Sequence, residues 1–251
     1  MPSLHDAAAA PAVASPLVAE AARLSAVHAG LGAAELIAVA ARDVAPGRAA
    51  LVTSFGAESA ILLHLVAGVD PALPVVFVDT LRLFPETLAY RDDLVARLGL
   101  RDVRTVSPSR EDEDRLDPLG ALFVTDADAC CGFRKVEPLA RALEPFDLWI
   151  SGRKRFQAAT RSALQPFEAD GERLKLNPLA DWSASDCVAY LRAHDIPPHP
   201  MVALGYPSIG CSPCTTPVAE GEDPRAGRWR GQGKTECGIH LGAQAPIARG
   251  A

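Results

Sequence analysis

Two continuous apolar segments, each followed by a helical pattern, constrain the fold of this chain more than any other feature. Residues 50–55 and 73–79 lack the polar alternation of a half-exposed strand, which is typical of strands buried on both faces. Helices are predicted after them over residues 58–69 and 85–98, the second opened by a proline at its first turn. Strands that alternate with helices predict an α/β fold, with a mostly parallel sheet and helices on both faces.

The remaining elements extend this pattern. An Ala-rich stretch at residues 16–44 predicts helical structure broken by Gly30 and Gly32, and Ser183 is a predicted helix N-cap. Further strands are predicted over residues 101–106, 148–151 and 173–176. Because ligands bind outside the carboxyl ends of parallel strands, we expect the loops that follow the strands to form one crevice. These loops are residues 54–58, 79–80 and 151–153.

Composition divides the chain into three regions. Residues 1–15 have the Ala/Pro/Ser content of a flexible tail, residues 16–196 are predicted to form the α/β domain, and residues 197–251 form a proline-rich, irregular segment. An acidic run at residues 111–114 is predicted to be a solvated loop without a function. The irregular segment holds three of the six cysteines, so we expect chemistry there.

Charge and hydropathy exclude several classes of protein. The net charge of −6 argues against a nucleic-acid-binding protein, because such binding rests on clustered Lys and Arg. No apolar run reaches the roughly 18 residues of a membrane span, and the first 30 residues lack the layout of a secretory signal. We therefore expect a cytoplasmic protein with reduced cysteines, used for metal binding or catalysis.

Two cysteine pairs predict a metal site. Cys130 and Cys131 are adjacent, whereas Cys211 and Cys214 form a C-x-x-C motif. Four thiolates suit either an iron–sulfur cluster or zinc, and the spacing leaves the metal open. A disulfide between the neighbours is disfavoured, since adjacent Cα atoms lie about 3.8 Å apart, below the usual disulfide range. The alternative is that all four are buried structural thiols.

The other two cysteines differ from the pairs. Cys187 lies on a periodic apolar helix face and is predicted to be a small core residue. Cys237 lies in a glycine-flanked segment, so we expect it to be exposed and mobile. Lys234 and His240 are near it in sequence, and neighbouring positive charge increases the thiolate fraction of a cysteine. Cys237 is therefore a candidate nucleophile, the alternative being an incidental cysteine in a tail.

Three segments in order resemble the assimilatory sulfonucleotide reductases, and specifically their adenylyl-sulfate reductase branch. They are Cys130-Cys131 with the following Arg134-Lys135-Val136, the Cys211-Ser-Pro-Cys214 pair, and the terminal Glu236-Cys-Gly-Ile-His240. The resemblance covers residues 51–241 and implies an adenine nucleotide alpha hydrolase-like fold. It also implies that the four paired cysteines bind one [4Fe–4S] cluster and that Cys237 is the nucleophile. Thioredoxin, or a similar dithiol protein, is the implied electron donor.

The same resemblance implies a set of substrate-binding residues. Residues 54–59 resemble the family's nucleotide loop, and Gly152 resembles a second adenosine-side loop. The implied substrate-binding residues are Ser54, Gly56, Glu58, Lys135, Gly152, Arg161, Arg225, Arg228 and His240. The chain departs from the family pattern at Leu81, at Ala127 and over residues 154–158, which affects the adenosine contacts more than the cysteine chemistry.

The implied reaction is the reduction of adenosine 5′-phosphosulfate (APS) to sulfite and AMP, in sulfate assimilation and cysteine biosynthesis. The sulfur of a phosphosulfate is electrophilic, so a Cys237 thiolate displaces AMP and a second thiol then releases sulfite. Three alternatives stay open: a reductase of the 3′-phosphorylated substrate PAPS, a cluster-bearing tRNA-thiolating enzyme, and a zinc-stapled nucleotide-binding module. The sequence leaves the oligomeric state open, including a homo-oligomer.

Overall fold

A six-stranded sheet forms the centre of the computed structural model, which describes residues 15–232, 234 and 236–240. The strands are β1 (Ala49–Thr53), β2 (Val75–Val78), β3 (Val103–Val106), β4 (Leu148–Ile150), β5 (Phe167–Asp170) and β6 (Arg173–Leu176). Their order in the sheet is β3-β2-β1-β4-β6-β5. All neighbours pair in parallel except β5 and β6. The predicted α/β class and mostly parallel sheet are therefore confirmed.

Helices cover both faces of this sheet. They are α1 (Pro16–Val27), α2 (Ala33–Val39), α3 (Ser59–Val69), α4 (Pro85–Leu98), α5 (Arg110–Leu116), α6 (Leu122–Thr125), α7 (Ala127–Cys131), α8 (Glu137–Leu143) and α9 (Ala184–Ala193). Buried residues of α1 to α4 and α9 form one apolar cluster with one face of the strands. Leu139 and Leu143 of α8 pack with Trp149, Val52 and Val76 on the other face. Every residue of β1, β2 and β4 is buried, as their continuous apolar sequence predicts.

The structure confirms the predicted bounds of α4 and the predicted N-cap of α9. Helix α4 has the predicted bounds, and Ser183 caps α9 by accepting a hydrogen bond from the Asp186 amide at 3.1 Å. Helix α2 continues into a wider π-helical turn at Ala40–Val44, and a second such turn, Gly132–Val136, joins α7 to α8. Short 3-10 turns follow at Arg155–Gln157, Ala159–Arg161, Pro200–Leu204, Ser212–Cys214 and Gly238–His240.

The structure corrects one sequence prediction and adds one strand that the sequence does not indicate. The acidic run at residues 111–114 is not a loop but the centre of α5, whose N-cap Ser109 accepts a hydrogen bond from the Asp112 amide at 3.0 Å. Three of its carboxylates, those of Glu111, Asp112 and Glu113, lie in the first turn of this helix, where the helix dipole favours negative charge. Strand β5 was not predicted at all. It turns back on β6 through Gly171, which has a φ of 62°.

The outer edge of the sheet at β5 is covered by the N-terminal helix. The Ser25 hydroxyl of α1 donates to the carbonyl of Phe167 at 3.2 Å and accepts from the amide of the same residue at 3.0 Å. The His28 ring lies 6.1 Å from the Phe167 ring. A side chain therefore satisfies both backbone groups of an edge residue that has no further strand beside it.

The described part of the chain contains no helix with the length and apolar character needed to cross a membrane. Beyond α9, the described residues are irregular apart from the 3-10 turns and two isolated bridges, Leu83 with Cys211 and Thr215 with Arg228. The first bridge fixes the C-x-x-C segment to the loop that follows β2. The predicted tail at residues 1–15 lies outside the described residues except for Ser15, which caps α1.

Candidate active site

The carboxyl ends of β1, β2 and β4 meet the irregular segment around a cavity of about 310 Å³. Three non-glycine residues near this edge have a positive φ: Phe55 after β1, Leu81 after β2, and Trp229 in the irregular segment. Such backbone conformations cost energy, and they cluster at functional sites. The strand order thus brings together the loops that the sequence predicted to converge.

The cavity collects nearly all of the predicted substrate-binding residues. Those that line it are Ser54, Gly56, Glu58, Lys135, Gly152, Arg161, Arg225 and Arg228, together with the candidate nucleophile Cys237. The side chain of His240 lies outside the described part of the structure, so its role stays a prediction. The other residues lie together around this cavity, and their contacts with a substrate stay a prediction.

The loop at residues 54–59, for which the resemblance implies nucleotide binding, is held by contacts on both sides. The buried Phe55 ring packs edge-on against Phe77 at 5.2 Å, and its amide donates to the Thr53 hydroxyl at 3.1 Å. Glu58, at the N-cap of α3, accepts hydrogen bonds from the Lys154 ammonium at 2.8 Å and the Gln157 amide at 2.7 Å. Glu58 is thus occupied by protein partners, and Ser54 and Gly56 are left facing the cavity.

Cys237 is half-buried in the cavity wall, so the prediction of an exposed thiol is wrong for this structure. The next residues hold it there. Gly238 lies so close to Val136 that a Cβ atom on it would come within 3.0 Å of a Val136 methyl group. Ile239 packs on the apolar cluster that includes Trp149. The predicted mobility of this segment is not tested by the structure.

Lys135 connects the thiols with the cavity. Burial lowers the pKa of its ammonium group, but the negative charges of Cys211, Cys237 and Cys131 raise that pKa above its ordinary value overall. For Cys211, burial raises the thiol pKa, and the opposing effects of Lys135 and the Thr80 hydroxyl bring it below its ordinary value. The interaction between Lys135 and Cys211 therefore favours an ammonium group on Lys135 next to a thiolate on Cys211.

Three arginines give the cavity further positive charge. Arg161 donates to both carboxylate oxygens of Glu236 at 2.8 Å, and Arg225 donates to the same carboxylate at 3.4 Å. Arg228 donates to the Ile209 carbonyl at 3.3 Å and stacks on the Trp229 ring. Its approach requires a glycine at position 210, because a Cβ atom there would lie 2.5 Å from the guanidinium carbon.

The four paired cysteines line a second, smaller cavity beside the first. Its wall contains Cys130, Cys131, Cys211 and Cys214, with Lys135 and Trp229 shared between the two cavities. Cys130 and Cys131 belong to α7 and are buried. Cys211 immediately precedes the 3-10 turn Ser212–Cys214, and Cys214 is its last residue. Residues about eighty positions apart in the sequence are thus brought to one place, as the predicted metal site requires.

The chemistry of this second cavity fits a polynuclear thiolate-bound group. Burial, together with the neighbouring Cys131, raises the pKa of the Cys130 thiol to about 12, so thiolates here need a cationic partner. The buried Trp229 Nε1 has no hydrogen-bond partner among the described residues, leaving a donor for a sulfur acceptor. Those residues form no group of three or more His, Cys, Asp or Glu that could hold a single metal ion.

Cys187 is a core residue, as predicted. Its side chain is buried within the main apolar cluster, and burial raises the pKa of its thiol to about 11. It contributes to neither cavity. This thiol therefore has the properties of an unreactive apolar side chain.

Comparisons with known proteins agree with this geometry. Residues 48–217 match the phosphoadenosine phosphosulfate reductase domain. The chain belongs to the phosphoadenosine phosphosulfate reductase family. An adenosine 5′-phosphosulfate reductase of Mesorhizobium japonicum is 53% identical over 225 residues, covering 90% of this chain and 89% of that protein. A phosphoadenosine 5′-phosphosulfate reductase of Gloeobacter violaceus is 44% identical, covering 76% and 81%.

Among solved structures, the phosphoadenylyl-sulfate reductase of Candida auris has a TM-score of 0.68 to this family member at 24% identity. The similarity covers 78% of this chain and 96% of that one, and it supports the α/β fold. The family resemblance drawn from the cysteine motifs is therefore confirmed.

Sequence reasoning missed a buried ion-pair network beside the cysteines. The Arg134 guanidinium donates to Asp117 at 2.9 Å, to Glu113 at 2.6 Å and to the Thr80 carbonyl at 3.1 Å. Arg134 and Asp117 are both 2% exposed. Burial raises the pKa of Asp117, but the Leu122 amide and Arg134 lower it below its ordinary value overall. The network fixes α5, α7 and the end of β2 relative to one another.

We predict that Arg134→Met destabilises the protein by about 3–5 kcal/mol at pH 7, because Asp117 would remain as a buried, unpaired charge. Urea unfolding measures this. Since Asp117 has a lowered pKa in the folded state, its contribution is present above about pH 4 and is lost as the pH falls through that folded value. The difference in the free energy of unfolding between wild type and Arg134→Met should therefore decrease at acidic pH.

The control for this variant is Arg115→Met, which removes an exposed pair with Asp112 and should cost less than about 1 kcal/mol. Equal stability of Arg134→Met and wild type at pH 7 would contradict the structural role of this network.

Proposed function

We propose that this protein is a thioredoxin-dependent adenylyl-sulfate reductase, which reduces APS to sulfite and AMP in sulfate assimilation. The observation that carries the proposal is the placement of Cys237 in one cavity wall with the nucleotide loop, Lys135 and Arg228. A relative 53% identical over most of both chains is named an adenosine 5′-phosphosulfate reductase, which supports the choice of substrate.

In the first step, the Cys237 thiolate attacks the sulfur of the phosphosulfate. A sulfur–sulfur bond forms, the bond from that sulfur to the bridging phosphate oxygen breaks, and AMP leaves with the electron pair. The product is an S-sulfocysteine, and no external electrons are needed. Lys135 and Arg228 supply positive charge to the anionic phosphosulfate, and the amides at the N-terminus of α3 face its nucleotide side.

In the second step, a thiolate of thioredoxin or a similar dithiol protein attacks the Cys237 sulfur. Sulfite leaves with the electron pair of the sulfur–sulfur bond, and a mixed disulfide remains. The second thiol of the partner then restores the Cys237 thiolate, so the dithiol supplies both electrons. A reducing cytoplasm provides such a partner and keeps the six cysteines reduced, and we propose it as the location of the protein.

The cysteines at positions 130, 131, 211 and 214 are the proposed ligands of a [4Fe–4S] cluster. When bound, the cluster would supply a fixed site for four thiolates and hold the C-x-x-C segment against α7. Lys135 and Trp229 then keep their places in the wall that the two cavities share. The proposed substrate-binding residues are Ser54, Gly56, Glu58, Lys135, Gly152, Arg161, Arg225, Arg228 and His240.

PAPS is the second candidate substrate. A relative 44% identical over 76% of this chain is named a phosphoadenosine 5′-phosphosulfate reductase, so the family name alone does not fix the nucleotide. The two substrates differ only by a 3′-phosphate, and the reaction at sulfur is the same for both. A direct comparison of the two distinguishes them.

The first prediction from the proposed function concerns the cluster. Cys130→Ser and Cys214→Ser should lose the visible absorbance near ~400 nm and most of the bound iron, because a hydroxyl is a poor replacement for thiolate. Cys187→Ser is the matched control and should keep its iron, since this thiol lies in the apolar core. A full complement of four irons in either ligand variant would disprove the assignment.

The second prediction concerns substrate preference. With reduced thioredoxin present, kcat/KM for sulfite release should be at least about tenfold higher for APS than for PAPS. The four cluster cysteines accompany the adenylyl-sulfate branch in the resemblance noted above. Equal or faster turnover of PAPS would reassign the substrate and leave the reaction type unchanged.

The third prediction separates the nucleophile from the cluster. Cys237→Ser should keep the cluster and bind APS, but it should release no sulfite, because the hydroxyl does not replace the thiolate nucleophile. Wild-type protein mixed with APS and no thioredoxin should release about one AMP per site. Mass spectrometry should find the added sulfonate on Cys237, and its appearance on Cys187 would contradict the mechanism.

A further inference from the structure

The carboxylate next to the candidate nucleophile is held by two arginines of the cavity wall. Glu236 receives two hydrogen bonds from Arg161, both at 2.8 Å, and a third contact from Arg225 at 3.4 Å. The side chains of Arg161 and Glu236 are 8% and 9% exposed. A bidentate, mostly buried arginine–carboxylate pair has a defined geometry and a strong interaction. This pair joins residues 75 positions apart in the sequence.

The other side of Cys237 has an apolar anchor. Gly238 is in close contact with Val136, and Ile239 packs on the apolar cluster that includes Trp149. Cys237 thus lies between an ionic contact on one side and an apolar contact on the other. Its sulfur is placed in the cavity by both, since a residue fixed at its two neighbours has little freedom of its own.

Arg161 is itself oriented by a chain of polar contacts. Its guanidinium donates to the side-chain oxygen Oε1 of Gln157, and Nε2 of the same side chain donates to Glu58 at 2.7 Å. Glu58 also pairs with Lys154 at 2.8 Å and stands at the end of the nucleotide loop. A continuous network therefore connects the nucleotide loop with the residue that precedes Cys237.

We propose that Glu236 is a positioning residue that docks the Cys237 segment on the cavity through Arg161 and Arg225. This inference rests on the proposed function and extends it. In the docked form, the Glu236 carboxylate engages these two arginines, so Lys135 and Arg228 provide the positive charge for the phosphosulfate. Among the described residues, undocking of residues 236–239 for the second step breaks this ionic contact and the apolar contacts of Gly238 and Ile239.

The test compares Glu236→Gln with wild type in the full-length, cluster-loaded protein. The amide is isosteric with the carboxylate but has no charge, so the segment should undock more often. By hydrogen–deuterium exchange, the peptide that contains Cys237 should exchange about tenfold faster. The AMP burst with APS should slow by about tenfold or more, since only docked molecules react.

The KM for APS distinguishes docking from substrate contact. If Glu236 only positions Cys237, Glu236→Gln should lower kcat without raising KM, because the substitution removes no group that contacts the substrate. Glu236→Asp keeps the charge and should be intermediate in both exchange and burst rate. Arg161→Ala should accelerate exchange of the same peptide, and combining it with Glu236→Gln should add little, as expected of two residues in one contact.

A matched control is Glu20→Gln, which removes an equally bidentate pair between Glu20 and Arg23 on the exposed face of helix α1. It should change neither the exchange of the Cys237 peptide nor the AMP burst. Iron content and thermal midpoint verify that each variant folds. Unchanged exchange and burst rate in Glu236→Gln would overturn the docking role. Failure of wild-type protein to release AMP from APS would instead overturn the proposed function, while the exchange measurement would still report on docking.

Discussion

The parallel pairing of β1 with β2 on one side and β4 on the other is the constraint on which the rest of the structure depends. All five residues of β1 are buried, and its two neighbours run in the same direction. The chain must therefore leave all three strands at one edge of the sheet. The nucleotide loop, Thr80 and Gly152 meet there for this reason, and the irregular C-terminal segment closes the cavity above them.

The sequence predicted the parts of the fold that rest on local patterns. Helix α4 has a proline at its start and Gly99 in the left-handed conformation at its end, and its predicted bounds are correct. The sequence does not indicate strand β5, because the alternating segment Phe167–Asp170 is only four residues long and has no β-branched residue, although Gly171 indicates a turn. The charge of residues 111–114 favours a solvated loop, whereas the Ser109 cap and the favourable position of the carboxylates in the first turn stabilise α5 instead.

The site was predictable to the extent that its residues follow strands or form motifs. The cysteine pairs, Lys135 and Cys237 were identified from spacing and from family resemblance, and the structure brings each to the expected cavity. The ion pairs around the two cavities could not be predicted. The contacts of Arg134 with Asp117 and of Arg161 with Glu236 depend on the packing of distant segments, which no local pattern in the sequence records.

The contact between Ser25 and Phe167 bears on self-association. A strand at the end of a sheet presents unpaired amides and carbonyls, which another chain can use to extend the sheet. Here a single hydroxyl of α1 occupies both backbone groups of Phe167, and helix α1 lies beside strand β5. Helix α1 lies far from the chemistry, yet removing it would uncover a template for aggregation. Helix α1 thus protects the sheet edge, although it lines neither cavity.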